Sequence, residues 1–424
     1  SLVKRTLRSS SSVAADLTEF QVESLHRTAA VASITADCYT QLDPLEAVAL
    51  GAAATLSLHA QDVPDAAAAR GTARQLRLLA GGGHPREAKS WGIDRIDSRT
   101  GTDGVYDDSG ATGSASRVYV LDTGVRISHR DFDNRAQVGW SVGCPTGDEA
   151  SCSSNGGDWV YQGVISQATA SCSSHGTHVA SIVGGSIFGV ARQATIVPVQ
   201  VLGCSSRRGT TSEVLQGIEW AVADATSQGQ PSILTLALGG KGSGTLYNAA
   251  ISAALRKGIL TIASAGNKAD DACTYAPGSS PWAITVGATT QNDSASETSN
   301  FGPCVNIYAP GSTIYGAWAG TDWHVGYSTG TSTAVPHVAG VAAQIRSLDP
   351  AMSPFEVFSA IECLATRNVV KALPRSLASQ HAQSAASSNQ LLYNGFNDAD
   401  AQGCLPAARP PSAPVQWERM ERCT

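Results

Sequence analysis

Gly330-Thr331-Ser332-Thr333-Ala334-Val335-Pro336-His337 sets a serine where a glycine-containing turn enters an apolar, helix-compatible run, Val338 to Ala343. Such a turn holds a hydroxyl clear of the backbone. The helix N-terminus behind it offers unpaired N–H groups and partial positive charge to a developing oxyanion. Ser332 is therefore a candidate nucleophile, and Pro336 suits the first helical turn, where a missing N–H costs little. A serine hydroxyl is weakly nucleophilic at neutral pH and needs a base. His175 is the candidate, in Ser174-His175-Gly176-Thr177-His178-Val179-Ala180-Ser181-Ile182-Val183-Gly184. Ser174 is placed to cap a helix beginning near His175, and Val179, Ile182 and Val183 give that helix an apolar face. His175 and His178 lack the i, i+4 spacing and the glutamate of a zinc-binding helix, so no metal is assigned. One histidine serves as a base and the other as a structural hydrogen-bonder. Asp122, in Asp122-Thr123-Gly124, closes the apolar run Arg117 to Leu121 and can orient an imidazole. Taken singly, each residue also fits a turn or a cap; the combination is what carries chemistry.

The elements that must position these groups alternate. Arg117–Leu121 reads as a buried parallel strand, with its acid at the carboxyl end, where open α/β sheets place their sites. Ile196–Leu202, Ile233–Leu238, Ile259–Ser264, Ala283–Val286 and Val305–Tyr308 read as further strands. Helices fall between them. One follows the capping box Thr210-Thr211-Ser212-Glu213, one spans Leu246–Lys257 and stops at Gly258, and the nucleophile helix runs to about Leu348. Ser353-Pro354-Phe355-Glu356 is a second capping box, opening a helix to about Leu364. This alternation predicts a mainly parallel sheet covered by helices on both faces.

Composition bounds the rest. The chain has 424 residues, 42% hydrophobic and 15% charged, so most of it can build a core. A net charge of −6 gives no support to nucleic acid or an anionic membrane as the main partner, and no apolar run is long enough to span a bilayer. Ten scattered cysteines without a C-x-x-C motif predict disulfides and an oxidising compartment, and a Cys144–Cys152 bridge would close the Gly- and Ser-rich excursion at 140–171. Residues 1–90 are poor in aromatics, with Ala-rich stretches at Leu45–Ala54 and Ala66–Leu79 that read as helical, and a linker at Gly81-Gly82-Gly83. No chemistry is assigned to them; they read as an N-terminal extension, with a pro-segment remnant, a surface extension and partial disorder as the open options. Residues 91–397 form the catalytic unit, and 398–424, with prolines at 406, 410, 411 and 414, form a stiff tail or linker.

Asp122-Thr-Gly124, His175-Gly-Thr-His178 and Gly330-Thr-Ser-Thr-Ala334, in that chain order, resemble the subtilisin-type serine proteases. Within them Trp91-Gly-Ile-Asp-Arg-Ile96 and Asn389-Gln-Leu-Leu-Tyr-Asn394 resemble the start and the final strand region of the proteinase K branch. The resemblance implies a three-layer α/β/α fold and a secreted, monomeric endopeptidase acting through an acyl-enzyme on protein or peptide substrates. Its N-terminal pro-segment would assist folding and block the cleft. It makes Asn267, after Ala265-Gly266, the side-chain donor of the oxyanion hole beside the Ser332 N–H. Substrate would lie as a strand between Leu236-Ala237-Leu238-Gly239-Gly240 and Ser205–Gly209, with Ala265 and Gly266 flooring the primary pocket. It also implies Cys172–Cys204 and Cys273–Cys304 bridges; Cys363–Cys404 is a further pairing, and Cys38 and Cys423 are unassigned.

The chain departs from the family at Thr333 (usually Met), Val335, Ser181 (commonly Gly) and Ala237 (usually Ser). No cofactor is required. A family calcium site would fall on the Pro281 and Ala283 carbonyls and residue 306, where Asn306 replaces a carboxylate, so calcium should bind weakly or not at all. Arg207 and Arg208 stand in a substrate-flanking segment that is Gly- and Ser-rich in relatives, and favour acidic side chains upstream of the scissile bond unless they are simply solvated. Two further readings stay open on sequence alone: a peptide-binding pseudoprotease, and a non-peptidase acyl hydrolase or ligase using the same site.

Overall fold

The computed structural model describes residues 3–7, 12–15, 39–41, 85–144, 148–153, 158–166, 169, 172–242, 244–373 and 387–405. The helices expected at 45–54 and 66–79, the glycine linker, the proline-rich tail, Cys38 and Cys423 lie outside them.

Among the described residues a nine-stranded sheet organises the chain. Its strands are β1 (Arg117–Asp122), β2 (Trp140–Ser141), β3 (Thr195–Gln200), β4 (Ser232–Leu236), β5 (Leu260–Ser264), β6 (Ile284–Thr289), β7 (Ile307–Pro310), β8 (Thr366–Arg367) and β9 (Gln390–Leu391). Their order is β8-β9-β7-β6-β5-β4-β1-β3-β2, and every pair is parallel except β8 with β9 at the edge. Six helices matter here: α1 (Trp91–Ile96), α2 (His175–Gly184), α3 (Thr211–Gln228), α4 (Thr245–Arg256), α5 (Thr331–Leu348) and α6 (Pro354–Leu364).

Side chains alternate across a strand, so one strand feeds two cores. In β1, Val118 and Val120 face a cluster with Val179 and Val183 of α2 and Val338 and Val341 of α5. Tyr119 and Leu121 face the opposite cluster, with Val214, Leu215 and Ile218 of α3 and Ile251 and Ala254 of α4. This is the three-layer α/β/α arrangement. The continuous apolar runs of the parallel strands follow from burial on both faces.

The expected strands and helices are present with ends shifted by a few residues, and both capping boxes form, Thr210 with Glu213 and Ser353 with Glu356. Two local expectations need correction. Pro336 is the sixth residue of α5, beyond the first turn, so the Ser332 carbonyl loses its i+4 backbone donor. Ser174 precedes α2 as expected but makes no side-chain cap; its hydroxyl accepts the Ala319 N–H at 3.0 Å. Sequence reading missed the antiparallel hairpin of Ile314–Ala317 with Val325–Ser328, which leads into the nucleophile turn. All four bridges expected among described cysteines are formed: Cys144–Cys152, Cys172–Cys204, Cys273–Cys304 and Cys363–Cys404. No described helix is long and apolar enough to cross a membrane.

Helix α5 approaches the loop after α2 so closely that a Cβ on Gly340 would overlap the Val190 side chain. Gly340→Ala should therefore destabilise the protein by about 1–3 kcal/mol despite alanine's better helix propensity. Urea unfolding of an inactive background reads the loss, and adding Val190→Ala should restore part of it.

Candidate active site

Asp122 ends β1 with no exposed surface. Its carboxylate accepts the Thr123 N–H at 2.7 Å and meets His175 Nδ1 at 2.9 and 2.8 Å through its two oxygens. Nδ1 is therefore the protonated ring nitrogen, which leaves the lone pair on Nε2. The two motifs interlock through the backbone as well. The Gly176 N–H donates to Thr123 Oγ1, and the Arg126 N–H donates to Thr177 Oγ1. Gly176 lies so close to Asp122 and to the Gly124 carbonyl that a side chain there would push the imidazole away.

Ser332 is the second residue of α5 and almost fully buried, two residues after the N-cap Gly330 at φ 152°. Helices α2 and α5 pack against one another in the same core. Asn267 lies three residues beyond β5 and is tied to the same helix start: its Oδ1 accepts the Thr331 N–H at 2.7 Å and the Thr331 hydroxyl at 3.0 Å. With the oxygen so occupied, the Nδ2 group is turned away from Thr331. The Thr331 hydroxyl also accepts the Gly266 N–H at 3.1 Å.

Two positioning residues were therefore missed by sequence reading. Thr331 stood within the quoted motif, with no signal of its role. Asn300 carried no local signal; its Nδ2 donates to the Ala265 carbonyl, and its Oδ1 accepts the Lys268 and Asp270 N–H groups, which shapes the loop carrying Asn267. Gly266, at φ 100°, packs against Asn300 where a Cβ would not fit.

His178 and His337 are structural. His178 is fully buried, donates from Nε2 to the Ile314 carbonyl at 2.8 Å and meets the Trp318 ring edge-on. Burial pushes its pKa down to about 3. His337 donates from Nδ1 to the Thr333 carbonyl at 2.9 Å, and burial pushes it down to about 4. The family departures have local uses. The Thr333 hydroxyl lies 2.8 Å from the carbonyls of both Gly311 and Gly330, which ties the nucleophile turn to the end of β7. Ser181 donates to Asp131 and accepts the Ala317 N–H.

The two segments expected to flank substrate differ in burial and pairing. Ala237 and Leu238 are buried, Gly239 and Gly240 are partly exposed, and Gly240–Lys241 pairs antiparallel with Tyr275–Ala276. Ala265 is fully buried, with its side chain in a small core beside Tyr308 and Leu391; only its backbone is left to floor a pocket. Arg207 is half-buried at φ 55°, and Arg208 is exposed. The far wall, Arg208–Thr210, is already paired: Tyr39–Gln41 runs antiparallel to it, with Thr40 opposite Gly209 and Gln41 opposite Arg208. Thr40 is buried, and its hydroxyl meets the Tyr247 hydroxyl at 3.1 Å. At the expected calcium position Asn306 Oδ1 accepts the Thr285 N–H at 2.7 Å. A neutral amide already engaged by the backbone does not fit a strong calcium site.

The site combines a buried Asp–His pair with a serine at the start of a neighbouring helix, on a parallel sheet between two helical layers. The chain belongs to the subtilase family, whose profile matches residues 113–389. It is 37% identical over 308 residues to an extracellular serine proteinase of Thermus sp. (strain Rt41A), covering 72% of this chain and 66% of that one. It is also 37% identical over 319 residues to alkaline serine exoprotease A of Vibrio alginolyticus, covering 74% and 52%. The chain thus spans about half to two thirds of the length of these curated relatives. Among solved structures it resembles a cold adapted subtilisin-like serine proteinase, with a TM-score of 0.60 and 35% identity over 73% of this chain and 99% of that one.

The Thr331–Asn267 contact predicts that Thr331→Val lowers kcat about tenfold with little change in KM. In an Asn267→Ala background the same change should cost almost nothing, because the donor it aims is gone. Steady-state kinetics on the four variants of this cycle checks it. The buried histidines predict acid instability. Their folded pKa values lie below the unfolded value of about 6.5, so their contribution is complete above that pH and is lost as pH falls towards 4 and 3. Stability of Ser332→Ala protein should fall by up to about 1.4 kcal/mol per pH unit for each histidine in this window, and His337→Leu should remove one of the two slopes.

Proposed function

We propose that this protein is a secreted serine endopeptidase of the proteinase K branch, in which Ser332 is the nucleophile, His175 the base, Asp122 its orienting acid and Asn267 an oxyanion donor. The observation that carries this reading is the double anchorage around the serine: Asp122 holds His175 Nδ1 on one side, and Thr331 holds the Asn267 oxygen on the other.

The chemistry follows from those roles. Ser332 Oγ attacks the scissile carbonyl carbon while its proton passes to His175 Nε2. The carbonyl oxygen takes the negative charge and is met by Asn267 Nδ2 and the Ser332 N–H. Collapse expels the amine, which takes the proton from His175 and leaves an acyl ester on Ser332. Water, deprotonated by His175, hydrolyses the ester and restores the serine. Asp122 keeps the imidazole in one tautomer and stabilises the imidazolium at each stage. The hydrolysis needs no cofactor, and calcium binds weakly if at all at Asn306.

Residues 91–397 are the catalytic unit, and 398–424 a tail. The N-terminal 90 residues include a pro-segment that blocks the cleft, an assignment supported by Tyr39–Gln41 lying along the wall Arg208–Thr210. Four disulfides and the extracellular relative support secretion, and the four catalytic groups in one chain support a monomer.

A fluorophosphonate probe tests the assignment. It should label the protein at Ser332, fail on Ser332→Ala and fall sharply on His175→Ala; labelling should quicken once the N-terminal segment is cut away. A folded protein that the probe never labels, in either form, would leave peptide binding without cleavage as the better account.

A further inference from the structure

The expected substrate wall carries two cations, Arg207 and Arg208. Arg95, Arg99, Arg117, Arg126 and Arg192 are each paired with an aspartate. Among the described residues neither the Arg207 nor the Arg208 guanidinium has a hydrogen bond or an ion pair.

The loop that presents them is fixed through its backbone. The Arg207 N–H donates to the Gly203 carbonyl, the Gly203 N–H donates to the Arg208 carbonyl, and Cys204 is bridged to Cys172. The nearby acid, Asp158, spends its carboxylate on the Ser205 and Ser206 N–H groups. The two side chains thus leave a backbone-fixed base, and among the described residues neither forms an ion pair with Asp158.

Register says what they would meet. Arg208 lies directly opposite Gln41 in the antiparallel pair. Side chains opposite one another have Cβ atoms about 4.5–5.5 Å apart, and a long side chain also reaches the residues diagonally across. A strand-bound substrate in the place of Tyr39–Gln41 would set its own side chains at those positions. A carboxylate there gains a charge pair without breaking an existing one.

We propose that Arg207 and Arg208 select peptides carrying Asp or Glu upstream of the scissile bond, at and beside the position that Gln41 takes opposite Arg208. The selectivity rests on the endopeptidase reading above. Because Arg208 is exposed, its pairs are worth little singly and weaken with salt, so the two together should favour Glu over Gln by about three- to tenfold.

The test uses pairs of fluorogenic peptides identical except for Gln or Glu at one upstream position, read as the ratio of kcat/KM values. The wild-type ratio should be about three to ten at low salt at one or more upstream positions and shrink at high salt. Arg207→Asn with Arg208→Gln should bring it to about one; asparagine tolerates the left-handed backbone at residue 207. Arg208→Glu should turn the ratio below one. A wild-type ratio of one at every position, or a preference that survives the double variant, overturns the proposal. If the Gln peptides are still cleaved in a Ser332-dependent way, only the charge selectivity has failed. If no peptide of any pair is cleaved, the endopeptidase reading falls and the selectivity falls with it.

Discussion

A carboxyl group with no exposed surface sits at the end of the first core strand, and most of the site exists to satisfy it. Burying such a group without partners costs several kcal/mol. Asp122 answers this with one backbone N–H and one imidazole. That solution demands that α2 enter directly over the strand end, which is why glycine follows His175. The contacts that keep the acid satisfied therefore also fix the base in one orientation and one tautomer. Stability and chemistry are served by the same bond, and neither can be adjusted alone.

The other half of the site follows the same economy. Asn267 projects from the loop after β5, which is bent by Gly266 and tied by Asn300, while Ser332 begins a helix packed across the sheet. Thr331 joins the two with its N–H and its hydroxyl, so strand end and helix start are referenced to each other and not to solvent. In the proposed role, a donor held this way needs no reorganisation when charge appears on the substrate. The buried, neutral His178 and His337 extend this framework behind the site and set its tolerance of acid.

Much of this was legible in the sequence because it is local. Apolar runs of strand length, capping boxes at Thr210 and Ser353, and glycines at turns report on their own neighbourhoods, and the sheet followed from their alternation. Asp122, His175 and Ser332 stood out because each closes or opens such an element, whereas Asn267 entered only through the resemblance to the family. What stayed hidden depends on partners distant in sequence. Asn300 supports a loop more than thirty residues earlier, and nothing around it announces that. The pairing of Tyr39–Gln41 with Arg208–Thr210 links segments about 170 residues apart. Pro336 misled for a related reason: proline is commonest in a first turn, but packing of α5 across the sheet holds the helix together around it.

The proposed catalytic groups are spread widely along the chain. Asp122 and Ser332 are 210 positions apart (332 − 122), and the parallel strands between them must all be in register before the two can meet. High contact order of this kind makes folding slow, and during synthesis the acid and the base emerge long before the nucleophile. No fragment ending short of α5 has a site to assemble. On the proposed function, a cell making this protein is thereby guarded during translation by topology alone.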